Sequence, residues 1–295
     1  MIEFLNPFAF AQRIRRPLIL DGAMGSLLQQ MGYKVDSEIW TTKLNQSHPE
    51  IIIEIHKSYI QAGADIITTN SFRTNLSAFK RSGINNNKRY VTQALVLAKE
   101  AKADLPIFVA GSNPPAEDCY QAARKLTQKE LKVNHYNHID LLYDNGVHFV
   151  LNETQSHFDE IKIICHYCSK NLIPFLVSIY SFDGRTILSG ESIVNVINFI
   201  GEYQPLSIAI NCISPAILKS VVKNINNDIP WGFYLNCGGG LQTDKVFRTG
   251  ISPNDYSLIV RSYLIKNPAF VGACCGSTPE HIRSIKRLVD GFHNS

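Results

Sequence analysis

The chain has 295 residues, 45% hydrophobic and 18% charged, which excludes a disordered polymer and supplies one barrel-sized core or two ordinary ones. No apolar run approaches the roughly 18 residues of a membrane span. A net charge of +4, with scattered basic residues, argues against nucleic-acid or membrane-surface partners.

Short, β-branched runs recur along the chain, separated by longer helical patterns. In order they are Leu18–Asp21, Asp65–Thr69, Ile107–Ala110, Phe149–Asn152, Phe175–Ile179, Ser207–Asn211, Gly232–Leu235 and Ala269–Ala273. They are almost continuously apolar, as parallel strands covered on both faces are. The first intervening helix is announced by Ser47-His48-Pro49-Glu50, with a cap candidate and an early proline, and it stops at Ala62-Gly63-Ala64. Further helices are expected over Thr92–Lys102, Leu126–Asn145, Ser156–Lys170, Ser192–Glu202, Ala216–Asn224, Asn254–Ile265 and Pro279–Gly291.

Eight strand-then-helix units in this length predict an α/β fold, a single (β/α)8 TIM barrel occupying residues 1–295 as one domain. A doubly wound sheet would carry a Gly-rich first turn, and none is present. The apolar stretch from Phe4 to Phe10 has two placements, a plug in the barrel bottom or a subunit contact.

Barrel chemistry sits where strands end, so the exits define the candidate site. Seven cysteines are an odd number in a long chain whose N-terminus, Met1-Ile2-Glu3-Phe4, lacks a basic signal region. A disulfide scaffold is therefore not expected, and a reducing cytoplasm is. Cys212 follows the sixth strand, and Cys274-Cys275 follow the eighth, with Gly276 to permit a sharp bend. Three thiolates converging on one mouth suit zinc, which at a catalytic site leaves a position open. Buried packing is the competing account of cysteines and on spacing alone is about as strong. Cys165-His166-Tyr167-Cys168 lies late in a helical pattern and reads as structural. Cys237, followed by Gly238–Gly240, is a reserve ligand at the same mouth, and the glycine run is a weak phosphate-site signal.

Asn211-Cys212-Ile213-Ser214-Pro215 and Val271-Gly272-Ala273-Cys274-Cys275-Gly276-Ser277-Thr278-Pro279-Glu280-His281-Ile282 resemble the two zinc-ligand motifs of the homocysteine S-methyltransferase family. Ala273 stands where the family motif has its second glycine. Asp21-Gly22-Ala23-Met24-Gly25, Gly63–Phe72 and Asn152-Glu153-Thr154 are similar to three further family motifs, all in order between about residues 18 and 282. The resemblance implies a zinc-bearing barrel that moves a methyl group to the homocysteine thiolate, giving methionine. Its implied zinc ligands are Cys212, Cys274 and Cys275. Its implied substrate anchors are Asp21 and Glu153, for the ammonium group, and the backbone around Gly22, for the carboxylate. Ile39-Trp40-Thr41 resembles a segment near the substrate and suggests Trp40 as a contact for a cationic donor. The implied partners are small molecules, homocysteine and a methyl donor, with S-methylmethionine or S-adenosylmethionine favoured over betaine. Methyl-folate would require further domains. Two other readings stand beside this one: a catalytically silent zinc- or thiol-binding regulatory barrel, and a phosphate-handling barrel centred on Gly238–Gly240.

Overall fold

The computed structural model describes residues 6–225, 228–239 and 248–293. The chain opens with α1 (Pro7–Arg13), then β1 (Leu18–Ile19), α2 (Gly25–Gln30), α3 (Leu44–Ser47), α4 (Pro49–Gln61) and β2 (Ile66–Thr68). Next come α5 (Leu76–Ser82), α6 (Asn87–Lys102), β3 (Phe108–Asn113), α7 (Gln128–Asp144), β4 (Phe149–Gln155), α8 (Phe158–Lys170) and β5 (Phe175–Ile179). The remainder is α9 (Ile193–Gly201), β6 (Ser207–Asn211), α10 (Pro215–Val222), β7 (Trp231–Leu235), β8 (Gly238–Gly239), β9 (Arg248–Thr249), α11 (Pro253–Leu264), β10 (Phe270–Ala273) and α12 (Pro279–His293).

Eight strands pair in the order β1-β10-β7-β6-β5-β4-β3-β2, every pairing parallel. A parallel bridge from Leu20 to Ile66 closes the ring between β1 and β2. The fold is the expected (β/α)8 barrel.

The strands look uniformly apolar because both of their faces are buried. Ile19, Ile67, Val109, Val150, Val177, Ile210, Phe233 and Val271 point outward into a core shared with the helices. Their neighbours Leu20, Ile66, Ala110, Leu151, Leu176, Ala209, Tyr234 and Phe270 fill the barrel interior. The alternation has the two-residue period of a strand. Phe8 of α1 belongs to the inner cluster, edge-on to Phe149 and Phe270 at 5.4 and 5.3 Å between ring centres. Asn6 donates to the Leu206 carbonyl, and Gln12 exchanges hydrogen bonds with Asn267. The N-terminal segment therefore plugs the barrel floor. Phe4 lies outside the described residues, and Phe10 is exposed.

Two strands run further than their apolar pattern suggests. β3 continues to Asn113 and β4 to Gln155, with Ser112 opposite Leu151 and Asn113 opposite Asn152. Buried amides hold these polar ends: Asn113 donates to Asn152 Oδ1 at 2.7 Å, and Asn152 donates to the Leu176 carbonyl at 2.9 Å. α6 begins at Asn87 rather than Thr92, because Asn86 caps it from a left-handed conformation. α7 begins at Gln128 behind a reciprocal Thr127–Glu130 capping box.

Candidate functional site

The strand ends open on a cavity of about 490 Å3, lined by Asp21, Gly22, Trp40, Glu153, Cys212, Cys274 and Cys275 among others. All seven candidate residues, drawn from five separated stretches of chain, thus meet at one mouth.

The cysteines converge because of local backbone geometry. Cys212 leaves β6 in the left-handed region at φ 54°, with its N–H on the Tyr234 carbonyl at 3.0 Å. Cys274 donates its amide to Leu235 O at 2.8 Å, and Gly276, at φ 80°, turns the chain immediately after Cys275. A side chain on Gly276 would meet the Gly238 backbone, since an ideal Cβ falls 2.5 Å from Gly238 Cα. The glycine run after β7 therefore allows the β7 and β10 exits to lie against one another. Gly238 and Gly239 form a small ribbon with residues 248–249, and Gly240 lies outside the described residues.

The sulfurs of Cys212, Cys274 and Cys275 all lie within 4.8 Å of one another, and Cys212 Sγ is 3.6 Å from Cys275 Sγ. Bonds from Cys274, then Cys275, pull the Cys212 thiol well below its ordinary value, and the Tyr120 hydroxyl, 3.2 Å from the same sulfur, acts in the same direction. Three sulfurs this close form a donor set for a soft or borderline metal ion such as zinc. Cys237 is excluded from it. Its thiol is fully buried, lies 3.7 Å from the Leu235 carbonyl and does not line the cavity, so the reserve-ligand expectation fails. Burial also pushes that thiol up. Cys165 and Cys168 are buried on α8 in the outer core.

Across the cavity stand two buried acids. Asp21 accepts from the Thr68 amide at 2.8 Å and from the Thr68 hydroxyl at 3.0 Å. Burial raises its pKa well above the usual range, against the Thr68 bonds and with help from the Glu153 charge. Glu153 accepts from the Ser112 hydroxyl and from the Tyr234 hydroxyl at 3.4 Å, and burial pushes its pKa up to about 7. Two carboxyls that repel in a low-dielectric pocket favour a cation between them.

Gly22 earns its place by close packing: a Cβ there would fall 2.7 Å from both Ser277 Oγ and the Tyr59 ring. Tyr59 bonds the Ala23 carbonyl, and the Ala23 amide is engaged by Ser277 Oγ at 3.0 Å. A Cβ on Gly25 would lie 1.8 Å from Trp40 Nε1, so Gly25 is what admits the indole. Trp40 itself is held at φ 52° by paired backbone bonds to Asp36.

The third loop, residues 114–127 between β3 and α7, carries no motif that defines a chemistry, and the structure gives it a role. It carries Asp118, Cys119, Tyr120 and Gln121 to the cavity wall. A buried ionic cluster holds the loop there. Glu160 of α8 accepts from the Ala116 amide at 2.7 Å and from Arg124 at 2.5 Å, and pairs with His135 of α7 at 2.5 Å. Ser112, Thr68, Tyr234 and Tyr120 also line the cavity; Thr68 falls within the Gly63–Phe72 motif, but the sequence assigned no role to any of the four.

A closed parallel barrel whose C-terminal mouth carries three thiols that could hold a metal ion, with two buried carboxyls across the cavity, has the architecture of a barrel enzyme. The family model for homocysteine S-methyltransferase matches residues 18–289. The chain belongs to that family and is an enzyme of methyl transfer to a thiol. Homocysteine S-methyltransferase 3 of Zea mays is 26% identical over 94% of this chain and 91% of its own length. The Escherichia coli homocysteine S-methyltransferase is 25% identical, with 91% of this chain and 94% of its own covered. The fold matches the metallated crystal form of the homocysteine methyltransferase MmuM from Escherichia coli, with a TM-score of 0.80 and 23% identity over 95% of this chain and 99% of that one.

Proposed function

We propose that the protein is a zinc-dependent homocysteine S-methyltransferase, taking its methyl group from S-methylmethionine or S-adenosylmethionine and releasing methionine. The convergence of three cysteine sulfurs within 4.8 Å, on the wall of a cavity shared with Asp21 and Glu153, carries this reading.

Cys212, Cys274 and Cys275 are assigned as zinc ligands. When bound, zinc stabilises the thiolate form of the acceptor sulfur at neutral pH, where a free thiol is mostly protonated. The remaining work falls to the chain. Asp21, fixed by Thr68, and Glu153, fixed by Ser112, take the homocysteine ammonium between them and so aim its sulfur at the cysteine cluster. The Trp40 ring offers its face to the positive charge of the donor. The homocysteine sulfur attacks the methyl carbon, a new sulfur–carbon bond forms, and the donor's bond to that carbon breaks. The bonding pair stays with the donor sulfur, which becomes neutral, and the thiol proton leaves to solvent. No side chain acts as a separate base.

A reducing cytoplasm suits seven free thiols. No described helix is long and apolar enough to cross a membrane. Assaying methionine formation from homocysteine with S-methylmethionine, S-adenosylmethionine, betaine and methyl-folate in turn tests the proposal. Turnover with a sulfonium donor supports it, whereas turnover with betaine or folate alone overturns the donor assignment.

A further inference from the structure

Arg73 is the single cationic side chain among the described residues that line the cavity, against four carboxyls, Asp21, Asp36, Asp118 and Glu153. It follows β2 and is half-buried on the loop leading to α5. Nothing in the chemistry of a cationic methyl group or a thiol calls for a guanidinium there. A carboxylate does, because the planar fork of Arg offers it two parallel donors.

The side chain is held but not consumed. Its Nη1 donates to the Glu117 carbonyl at 3.1 Å, and a guanidinium has five N–H donors in all. Glu117 is in turn fixed by the amides of Lys125 and Leu126, so Arg73 rests on the anchored third loop. Asp36 does not neutralise it, since that carboxylate is taken by Lys43 at 2.6 Å and by the amides of Glu38 and Ile39.

Its bond to the Glu117 carbonyl sets it against the third-loop wall of the cavity. Arg73 and Asp118 both act on the buried Cys119 thiol of the third loop, the guanidinium opposing the effect of burial and the carboxylate adding to it, while the Glu153 charge acts on Asp21. The guanidinium therefore offers a carboxylate a partner at the third-loop wall, and Asp21 and Glu153 offer an ammonium one across the cavity.

We propose that Arg73, braced on the Glu117 carbonyl, holds the carboxylate of the methyl donor, so that the donor is an onium compound bearing a carboxylate. The proposal deepens the methyltransferase reading and rests on it.

The test compares S-methylmethionine with its carboxamide, using zinc-loaded wild-type protein, Arg73→Gln and Arg73→Lys at saturating homocysteine. Arg73→Gln is expected to raise the KM for S-methylmethionine by about ten- to a hundredfold with little change in kcat, while Arg73→Lys retains part of the affinity. The wild type should disfavour the carboxamide by a similar factor, and Arg73→Gln should no longer discriminate. The homocysteine KM stays where it was. An unchanged donor KM in Arg73→Gln overturns the proposal, as does an equal loss with both donors, which marks a structural role. A rise confined to the homocysteine KM also overturns it, by assigning Arg73 to the acceptor. A wild type that transfers no methyl group from any sulfonium donor defeats the functional reading itself, before Arg73 is in question.

Discussion

Glu153 shows how a single side chain can carry substrate recognition at a cost to the empty protein. Burial raises its pKa from the ordinary 4.5 to about 7, so the folded chain holds this proton more tightly than the unfolded one. The contribution of Glu153 to the stability of the metal-free protein is therefore present below about 4.5 and is lost as pH rises through about 7. Glu153→Gln should remove its share of that decline, matching wild type near pH 4 and exceeding it near pH 8 in denaturant unfolding. The same variant should weaken homocysteine binding by about ten- to a hundredfold through loss of a charged hydrogen bond. A stability difference that does not grow with pH would contradict the account. The three cysteines stood out in sequence as a cluster of thiols at barrel strand exits, and Asp21 and Glu153 were assigned through the family motifs that contain them. Ser112, Thr68 and Tyr234 were not, because a hydroxyl that orients a carboxylate looks in sequence like any small or aromatic residue of a strand.

At the scale of elements, two segments fix the site without touching the chemistry. α1 closes the barrel floor through Phe8, wedged between Phe149 and Phe270. Phe8→Ala should cost about 3–5 kcal/mol, leaving kcat per folded molecule unchanged, as measured by chemical denaturation alongside the methyl-transfer assay. The sequence left that stretch between a plug and a subunit contact, since an apolar N-terminus serves either purpose and only the inward face of Phe8 decides.

The third loop depends on Glu160. Burial pushes its pKa up, but the bond and charge of His135 and the charge of Arg124 outweigh that and hold it at about 2. A depressed acid contributes stability above its ordinary 4.5, and that contribution is lost as pH falls from there through about 2. Glu160→Gln should destabilise the protein by about 3 kcal/mol, and amide exchange should rise first over residues 114–127. Uniform protection of that loop in the variant would count against the ionic cluster as its anchor. No sequence pattern exposed this cluster, because its members lie on three different elements that only the barrel brings together.

On the scale of the whole molecule, the barrel itself was readable because each strand buries both faces, so eight apolar runs stood out between amphipathic helices. Strand ends were less readable: β3 continues through Ser112 and Asn113 and β4 through Gln155, polar residues whose partners lie on neighbouring strands and, for Asn113, on His138 of α7. The barrel brings Cys212 and the Cys274–Cys275 pair, about sixty residues apart in sequence, into one cluster. The account stands on that cluster being a metal centre that the reaction needs. Zinc content by atomic absorption, measured on wild type and Cys212→Ser alongside methionine formation from homocysteine and S-methylmethionine, tests it most directly. The account predicts about one zinc per wild-type chain, with both metal and activity lost in a folded Cys212→Ser variant. A zinc-free wild type that is fully active, with Cys212→Ser tolerated, would contradict it.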